Sequence, residues 1–239
     1  MVEALQPQHR IFVAIDTTDL GRAVELSSGL KGLVGGLKIG KEFFTAHGPE
    51  GVHRVIENGM PLFLDLKFHD IPNTVAGAIK ASLQLDPFMV NVHASGGRRM
   101  MVAAKEAIDA DHKSQHPLLI AVTVLTSMAR EDLTELGLDV DPLQQVLRLA
   151  KLTKSSGLDG VVCSAKEVVA LRGTVGDDFK LIVPGIRPTW ASADDQRRIL
   201  TPKDAVALGA DYLVIGRPIT GHDDPVHAAK LIADELISA

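Results

Sequence analysis

The sequence has a single cysteine, Cys163. No intramolecular disulfide can form, and no zinc site can be built on cysteine ligands. Such usage fits a reducing compartment, and the cytoplasm is the simplest expectation. There is one tryptophan and one tyrosine, and aromatic residues make up only 4% of the chain. Recognition of nucleic acid by base stacking needs exposed aromatic platforms beside basic charge. The formal net charge is −5, so a nucleic-acid partner is not expected. That balance does not exclude binding of one small phosphate. No apolar run approaches the roughly 20 residues of a membrane helix, and Met1–Arg10 is polar, without the apolar core of a secretion signal. The expectation is a soluble, unprocessed chain with no membrane partner. Internal repeats, low-complexity tracts and Pro/Gly/Ser linkers are also missing.

What is present is a core. Of the 239 residues, 46% are hydrophobic and 23% charged, with a mean hydropathy of +0.14, which excludes intrinsic disorder. Eight short apolar, β-branched runs recur: Ile11–Asp16, Gly36–Ile39, Leu62–Lys67, Met89–His93, Leu118–Val124, Gly160–Cys163, Leu181–Pro184 and Tyr212–Ile215. Segments of helical spacing lie between them, among them Leu20–Leu30, Lys41–Asn58, Asn73–Leu85 and Pro142–Ser156. Thr201 before Pro202 reads as an N-cap and first helical position, and Gly209 as the end of that helix. Strands alternating with helices predict a parallel sheet covered by helices. Eight such units in this length predict an α/β fold of one (β/α)8 TIM barrel domain over residues 1–239. A doubly wound open sheet is the other reading, but no G-x-G-x-x-G follows the first run.

Barrel enzymes place their chemistry at the C-terminal ends of the strands. Here those ends are polar: Asp16, Lys38, Asp65 with Lys67, His93, Thr126 with Ser127, and Gly216 with Arg217. Each could merely mark an exit to solvent, but a set of both signs points to a site, since an unpaired buried charge is expensive. In Leu62-Phe63-Leu64-Asp65-Leu66-Lys67-Phe68, alternation puts the leucines and Phe68 on the helix-facing side and Phe63, Asp65 and Lys67 on the other. Lys38, in Gly36-Leu37-Lys38-Ile39-Gly40, shares its face only with glycines. A network of Asp16, Lys38, Asp65 and Lys67 would keep its lysines charged. A purely structural ion-pair cluster is the alternative, although such clusters rarely improve on apolar packing. Asp70, two residues before Pro72, reads locally as a helix N-cap.

Gly216-Arg217-Pro218 after the eighth run and Pro184-Gly185-Ile186-Arg187 after the seventh suggest phosphate binding. Backbone N–H groups and guanidinium forks serve that purpose at this end of such barrels. Weaker candidates are His93, a metal site from His69, Asp70 and His93 that no ligand spacing supports, and Cys163, read as a core residue. Arg98 and Arg99 read as a solvated face and Asp111–His116 as an exposed loop.

Asp65-Leu66-Lys67-Phe68-His69-Asp70-Ile71-Pro72-Asn73-Thr74 resembles the D-x-K-x-x-D-I-x-x-T signature of the orotidine 5′-phosphate decarboxylase family, in its bacterial form. Phe12–Asp16, Leu37–Gly40, Val124–Ser127, Pro184–Arg187, Asp195–Arg198 and Ile215–Ile219 resemble further motifs of that family, in the same order. The resemblance implies a cytoplasmic homodimeric lyase of pyrimidine biosynthesis. It would convert orotidine 5′-monophosphate to UMP and CO2, the last step of de novo UMP synthesis, without cofactor or metal. It implies catalytic roles for Lys67, Asp65, Lys38 and Asp70, with Lys67 protonating C6 of the pyrimidine and Asp65 against the substrate carboxylate. Asp16 and Lys38 would hold the ribose, Thr126 or Ser127 would meet the pyrimidine, and Gln196 would bridge ring and phosphate. Arg187, Arg217 and the Gly216 backbone would take the phosphate. Asp70 and Thr74 would reach into the other subunit's site, placing the active sites at the interface. A related group of Mg-dependent sugar-phosphate decarboxylases and aldolases resembles the same strand, but has an acidic metal ligand where Lys38 stands. A non-catalytic phosphate-binding barrel would share the arginines but have no need of Asp65 and Lys67.

Overall fold

Each apolar run becomes a strand. In the computed structural model, which describes residues 6–191 and 200–237, the chain order is β1 (Ile11–Ile15), α1 (Leu20–Leu30), β2 (Gly36–Gly40), α2 (Lys41–Ile56), β3 (Leu62–Phe68) and α3 (Pro72–Ser82). Then come β4 (Met89–His93), α4 (Gly97–Asp109), β5 (Leu118–Val122), α5 (Arg130–Glu135), α6 (Pro142–Ser155) and β6 (Gly160–Val162). The chain continues with α7 (Val168–Val175), β7 (Lys180–Pro184), α8 (Pro202–Ala207), β8 (Tyr212–Ile215), α9 (Arg217–Thr220) and α10 (Pro225–Ile237). The strands follow one another from β1 to β8 in a closed barrel, and their pairings are parallel. This is the (β/α)8 architecture expected from the sequence. No helix among the described residues is long and apolar enough to cross a membrane.

Local chemistry starts the helices where the sequence predicts. The Asp19 carboxylate accepts the Arg22 N–H at α1, and Asp141 accepts the N–H groups of Leu143 and Gln144 at α6, with Pro142 in the first turn. Thr201 and Asp204 form a reciprocal capping box at α8. Such a cap contributes about 1 kcal/mol. Gly209 follows that helix with a φ of 112°, one residue past the C-cap Leu208. The expected continuous helix over Lys41–Asn58 is instead kinked at Gly48, whose φ of 59° and ψ of −163° are not helical. Pro49 follows it and removes an N–H from the ladder.

Contacts divide the chain into two compact units, Met1–Leu66 with Val183–Ala239, and Lys67–Ile182. In the first, Phe12 pairs in register with Gly36 of β2 and Val214 of β8. Its ring meets Phe63 edge-on with centroids 6.3 Å apart, and Tyr212 at 5.6 Å. These three rings supply most of the aromatic bulk within the unit's core, and edge-on contacts suit their quadrupoles. A Cβ on Gly36 would lie 2.5 Å from both Phe12 Cε1 and the Pro61 carbonyl oxygen. In the second unit, Val90 and Val92 of β4 and Leu119 and Ala121 of β5 pack with Val75 and Ile79 of α3 and Met100 and Met101 of α4. Alternation therefore turns Asn91 and Ile120, paired in register, to the face away from these helices.

Gly36→Ala has no room to relax, because one of the two clashing atoms is backbone. We expect it to destabilise the protein by about 2 kcal/mol, a fall of roughly 4–8 °C in Tm. Thermal unfolding checks this, and an unchanged Tm contradicts the packing described.

Candidate active site

In the first unit three charged side chains meet. Asp16 follows β1, Lys38 lies on β2, and Asp65 lies on β3 in register with Gly40. Lys38 Nζ is 3.3 Å from Asp16 Oδ1 and 3.3 Å from Asp65 Oδ2. Lys38 and Asp65 are each only 8% exposed, whereas the Asp16 side chain is 59% exposed. The ammonium thus sits between a buried carboxylate and an open one, and the three groups together carry one negative charge. A Cβ on Gly40 would come within 3.0 Å of Lys38 Nζ. Gly40 therefore leaves the ammonium its place, just as Gly36 leaves Phe12 its place.

Two of the phosphate-binding candidates of this unit, Arg187 and Arg217, lie on one cavity. It has a volume of about 360 Å3 and is lined by Arg187, Trp190, Ala191, Arg217, Pro218, Gly221 and His222. Among the described residues, two guanidinium groups and no carboxylate line it, a charge that suits an anion. Arg187 follows β7, and its N–H bonds to the Leu200 carbonyl at 3.4 Å. Arg217 opens α9 directly after Gly216. A Cβ on Gly216 would lie 3.8 Å from Asp16 Oδ2, so the Gly216 turn adjoins the Asp16–Lys38 pair. Gln196 lies outside the described residues.

In the second unit, Lys67 opens the segment and departs from the extended backbone of a strand. Its φ is 52°, a left-handed conformation that raises the energy of a residue with a Cβ by about 1–2 kcal/mol. Its N–H donates to Asn91 Oδ1 at 2.8 Å. Phe68 nevertheless packs against the helix-side cluster of α3 and α4, as alternation predicts. Asp70 is corrected by one position. The N-cap of α3 is Ile71, without a side-chain cap bond, and Asp70 Oδ1 accepts the Ile71 N–H at 2.6 Å. Pro72 fixes the start of the helix, so the carboxylate stands one residue outside it. Asp70 and Thr74 are exposed, and Ile71 between them is 67% exposed. Thr126 and Ser127 form an exposed turn after β5.

The whole chain can now be compared with known proteins. Residues 9–232 match the "Orotidine 5'-phosphate decarboxylase / HUMPS family". The chain belongs to this family. It is 54% identical over 241 residues to the orotidine 5′-phosphate decarboxylase of Rhodospirillum rubrum, covering 99% of this chain and 98% of that one. It is 55% identical over 228 residues to the enzyme of the same name from Psychromonas ingrahamii, covering 95% and 97%. The crystal structure of orotidine 5′-phosphate decarboxylase from Lactobacillus acidophilus superposes with a TM-score of 0.84 at 38% identity, covering 95% of this chain and 98% of that one.

Within this family frame, the weaker candidates separate. Cys163 is fully buried, Arg98 and Arg99 are exposed on α4, and residues 112–116 form an exposed loop. The rings of His69 and His93 lie 5.5 Å apart at 34°. Among the described residues, no three His, Cys, Asp or Glu side chains gather where a metal could be held. One residue escapes the sequence reading altogether. Asn91 lies in the middle of an apolar strand, and nothing local links it to Lys67, 24 positions away.

Replacing Lys38 with methionine removes the ammonium from beside the buried Asp65 carboxylate. Breaking a buried pair from one side is destabilising by about 3 kcal/mol, which corresponds to a fall of roughly 6–12 °C in Tm. A denaturation curve for Lys38→Met that matches or exceeds the wild type rules out a net stabilising role for the pair.

Proposed function

We propose that the chain is an orotidine 5′-phosphate decarboxylase, converting orotidine 5′-monophosphate to UMP and CO2 in pyrimidine biosynthesis. The observation that carries this reading is the Lys38 ammonium held 3.3 Å from both Asp16 and Asp65, in a member of this family whose β3 continues from Asp65 into Lys67. The reaction breaks the bond between C6 and the carboxyl carbon. CO2 departs, the electron pair stays on C6, and a proton from the Lys67 ammonium takes its place. Solvent then restores the proton to Lys67. The developing charge at C6 is poorly delocalised, so a cation fixed beside it supplies most of the catalysis. Asp65 lies against the substrate carboxylate and Asp70 completes the charged network. Lys38 and Asp16 hold the ribose hydroxyls, and Thr126 or Ser127 meets the pyrimidine. Arg187, Arg217 and the Gly216 backbone bind the phosphate, with Gln196 bridging ring and phosphate. Binding energy from that remote phosphate is available to organise the reacting end.

The chain is one barrel domain, works in the cytoplasm, and pairs as a homodimer whose active sites lie at the interface. Exposed Asp70, Ile71 and Thr74 on one helix start support that pairing, since an exposed apolar side chain beside polar ones is the usual composition of an interface. Metal dependence is disfavoured by Lys38, whose positive charge stands where a divalent ion would need an acid.

Purified protein is expected to consume orotidine 5′-monophosphate, read by absorbance, at the same rate with and without EDTA. Loss of activity with EDTA that Mg2+ restores would sink this reading. Lys67→Ala is expected to lower turnover by about 10³-fold or more while UMP still binds. Near-normal turnover in that variant removes Lys67 from the chemistry.

The shared site has its own test. Asp70→Ala and Lys67→Ala proteins, each inactive as homodimers, are mixed and allowed to exchange subunits. One intact site per hybrid is expected, and therefore partial recovery of activity. No recovery despite demonstrated exchange contradicts a site built from two subunits.

A further inference from the structure

Among the described residues, two that are not glycine have positive φ, Asp86 at 48° and Lys67 at 52°. Asp86 ends a short turn over Leu83–Leu85, and aspartate enters this region readily because its short side chain bonds locally. Lys67 has neither excuse. It lies within a strand, and a long side chain does not enter this region as readily as a short polar one. A residue held there must be held by its surroundings, and such residues cluster at functional sites.

The hold is visible. The Lys67 N–H donates to Asn91 Oδ1 at 2.8 Å, within the same compact unit. Asn91 is fully buried in β4, on the face opposite Val90 and Val92, which pack toward the helices. A buried carboxamide is unfavourable unless its polar atoms are bonded, and an apolar residue would fill the place without that penalty. Only the carbonyl end of the amide can accept an N–H, so this bond also fixes which way the carboxamide points. β4 is itself fixed by its register with β5, Asn91 opposite Ile120. The acceptor is therefore mounted on a rigid element, as precise positioning requires.

We infer that Asn91 is a positioning residue for Lys67: its side-chain carbonyl takes the Lys67 N–H and holds the backbone left-handed, so that the ammonium is presented in one place. The catalytic consequence rests on the decarboxylase reading, in which Lys67 is the proton donor. The backbone hold does not. Asn91 touches no substrate in this account, so its loss should affect kcat and leave KM nearly alone, because substrate binding falls to other residues. A misplacement of a fraction of an ångström at a proton donor is enough for a large effect.

The test uses Asn91→Leu, close in size but without an acceptor, and Asn91→Asp, which keeps an oxygen in the same position. Asn91→Ala takes the place of the leucine variant if that protein does not fold. Kinetics on orotidine 5′-monophosphate and hydrogen exchange of the backbone around Lys67 are measured for each. The leucine variant is expected to lose about 30-fold in kcat with KM within about threefold, and its Lys67 amide to exchange about tenfold faster or more. Asn91→Asp is expected to recover most of both. Unchanged kcat in the leucine variant, an equal loss in both variants, or a loss confined to KM overturns the positioning role. Unchanged exchange at Lys67 overturns the hold itself. A wild-type protein that exchanges slowly at Lys67 but has no decarboxylase activity contradicts the proposed function instead, and the exchange comparison still decides the hold.

Discussion

The ammonium of Lys38, set between two carboxylates with most of its side chain out of solvent, is the constraint around which the strand ends of the first unit are arranged. A lysine on the inner face of a small barrel needs room and needs opposite charge. Room comes from glycine: Gly40 keeps its Cβ position clear of Nζ, and Gly36 lets Phe12 fill the level beneath. Opposite charge comes from Asp16 and Asp65 at 3.3 Å each. Apolar packing would stabilise this region at least as well, since taking ions out of water offsets much of their attraction. The arrangement is therefore better understood as stability forgone for a site than as a device that holds the fold together.

Placement of charge also explains how an acidic chain can carry a cavity lined by two arginines. A net charge of −5 describes the whole surface, and a small ligand responds to the groups near it. Among the described residues, the cavity at Arg187 and Arg217 has two guanidinium groups and no acid in its lining. Over a screening length of about 8 Å at physiological salt, local composition decides the sign. Acidic residues farther off than that length weigh little on such a ligand.

Much of this is legible in the sequence because it depends on period and on local chemistry. Strand alternation put Lys38 on the glycine face of β2, and that follows from neighbours one and two residues away. The cap at Thr201 is local for the same reason. Three features were not legible, each with its own physical cause. The kink at Gly48 depends on one backbone torsion that helical spacing does not report. Asp70 falls at one residue before the N-cap because Pro72 sets the start of α3, and Asp, Ile and Pro in series fit either register. The left-handed Lys67 is tied to Asn91 by a bond spanning 24 positions, and no pattern within β3 or β4 encodes it.

These differences in legibility follow how each cation is held. Lys38 is fixed by ion pairs, which leave charged residues in the sequence as a trace. The arginines are placed by the turns after β7 and β8, where Gly185 and Gly216 mark the turn chemistry. Lys67 is fixed through its backbone, by a neutral amide that resembles an accident of composition in an otherwise apolar strand. In the proposed reaction, the proton donor gains from that last arrangement. The charged neighbours of an ammonium set how readily it gives up a proton. A hydrogen bond to the backbone restricts the side chain's origin without touching the group that must donate. Position and acidity can then be set separately, which is what a fixed but reactive acid requires.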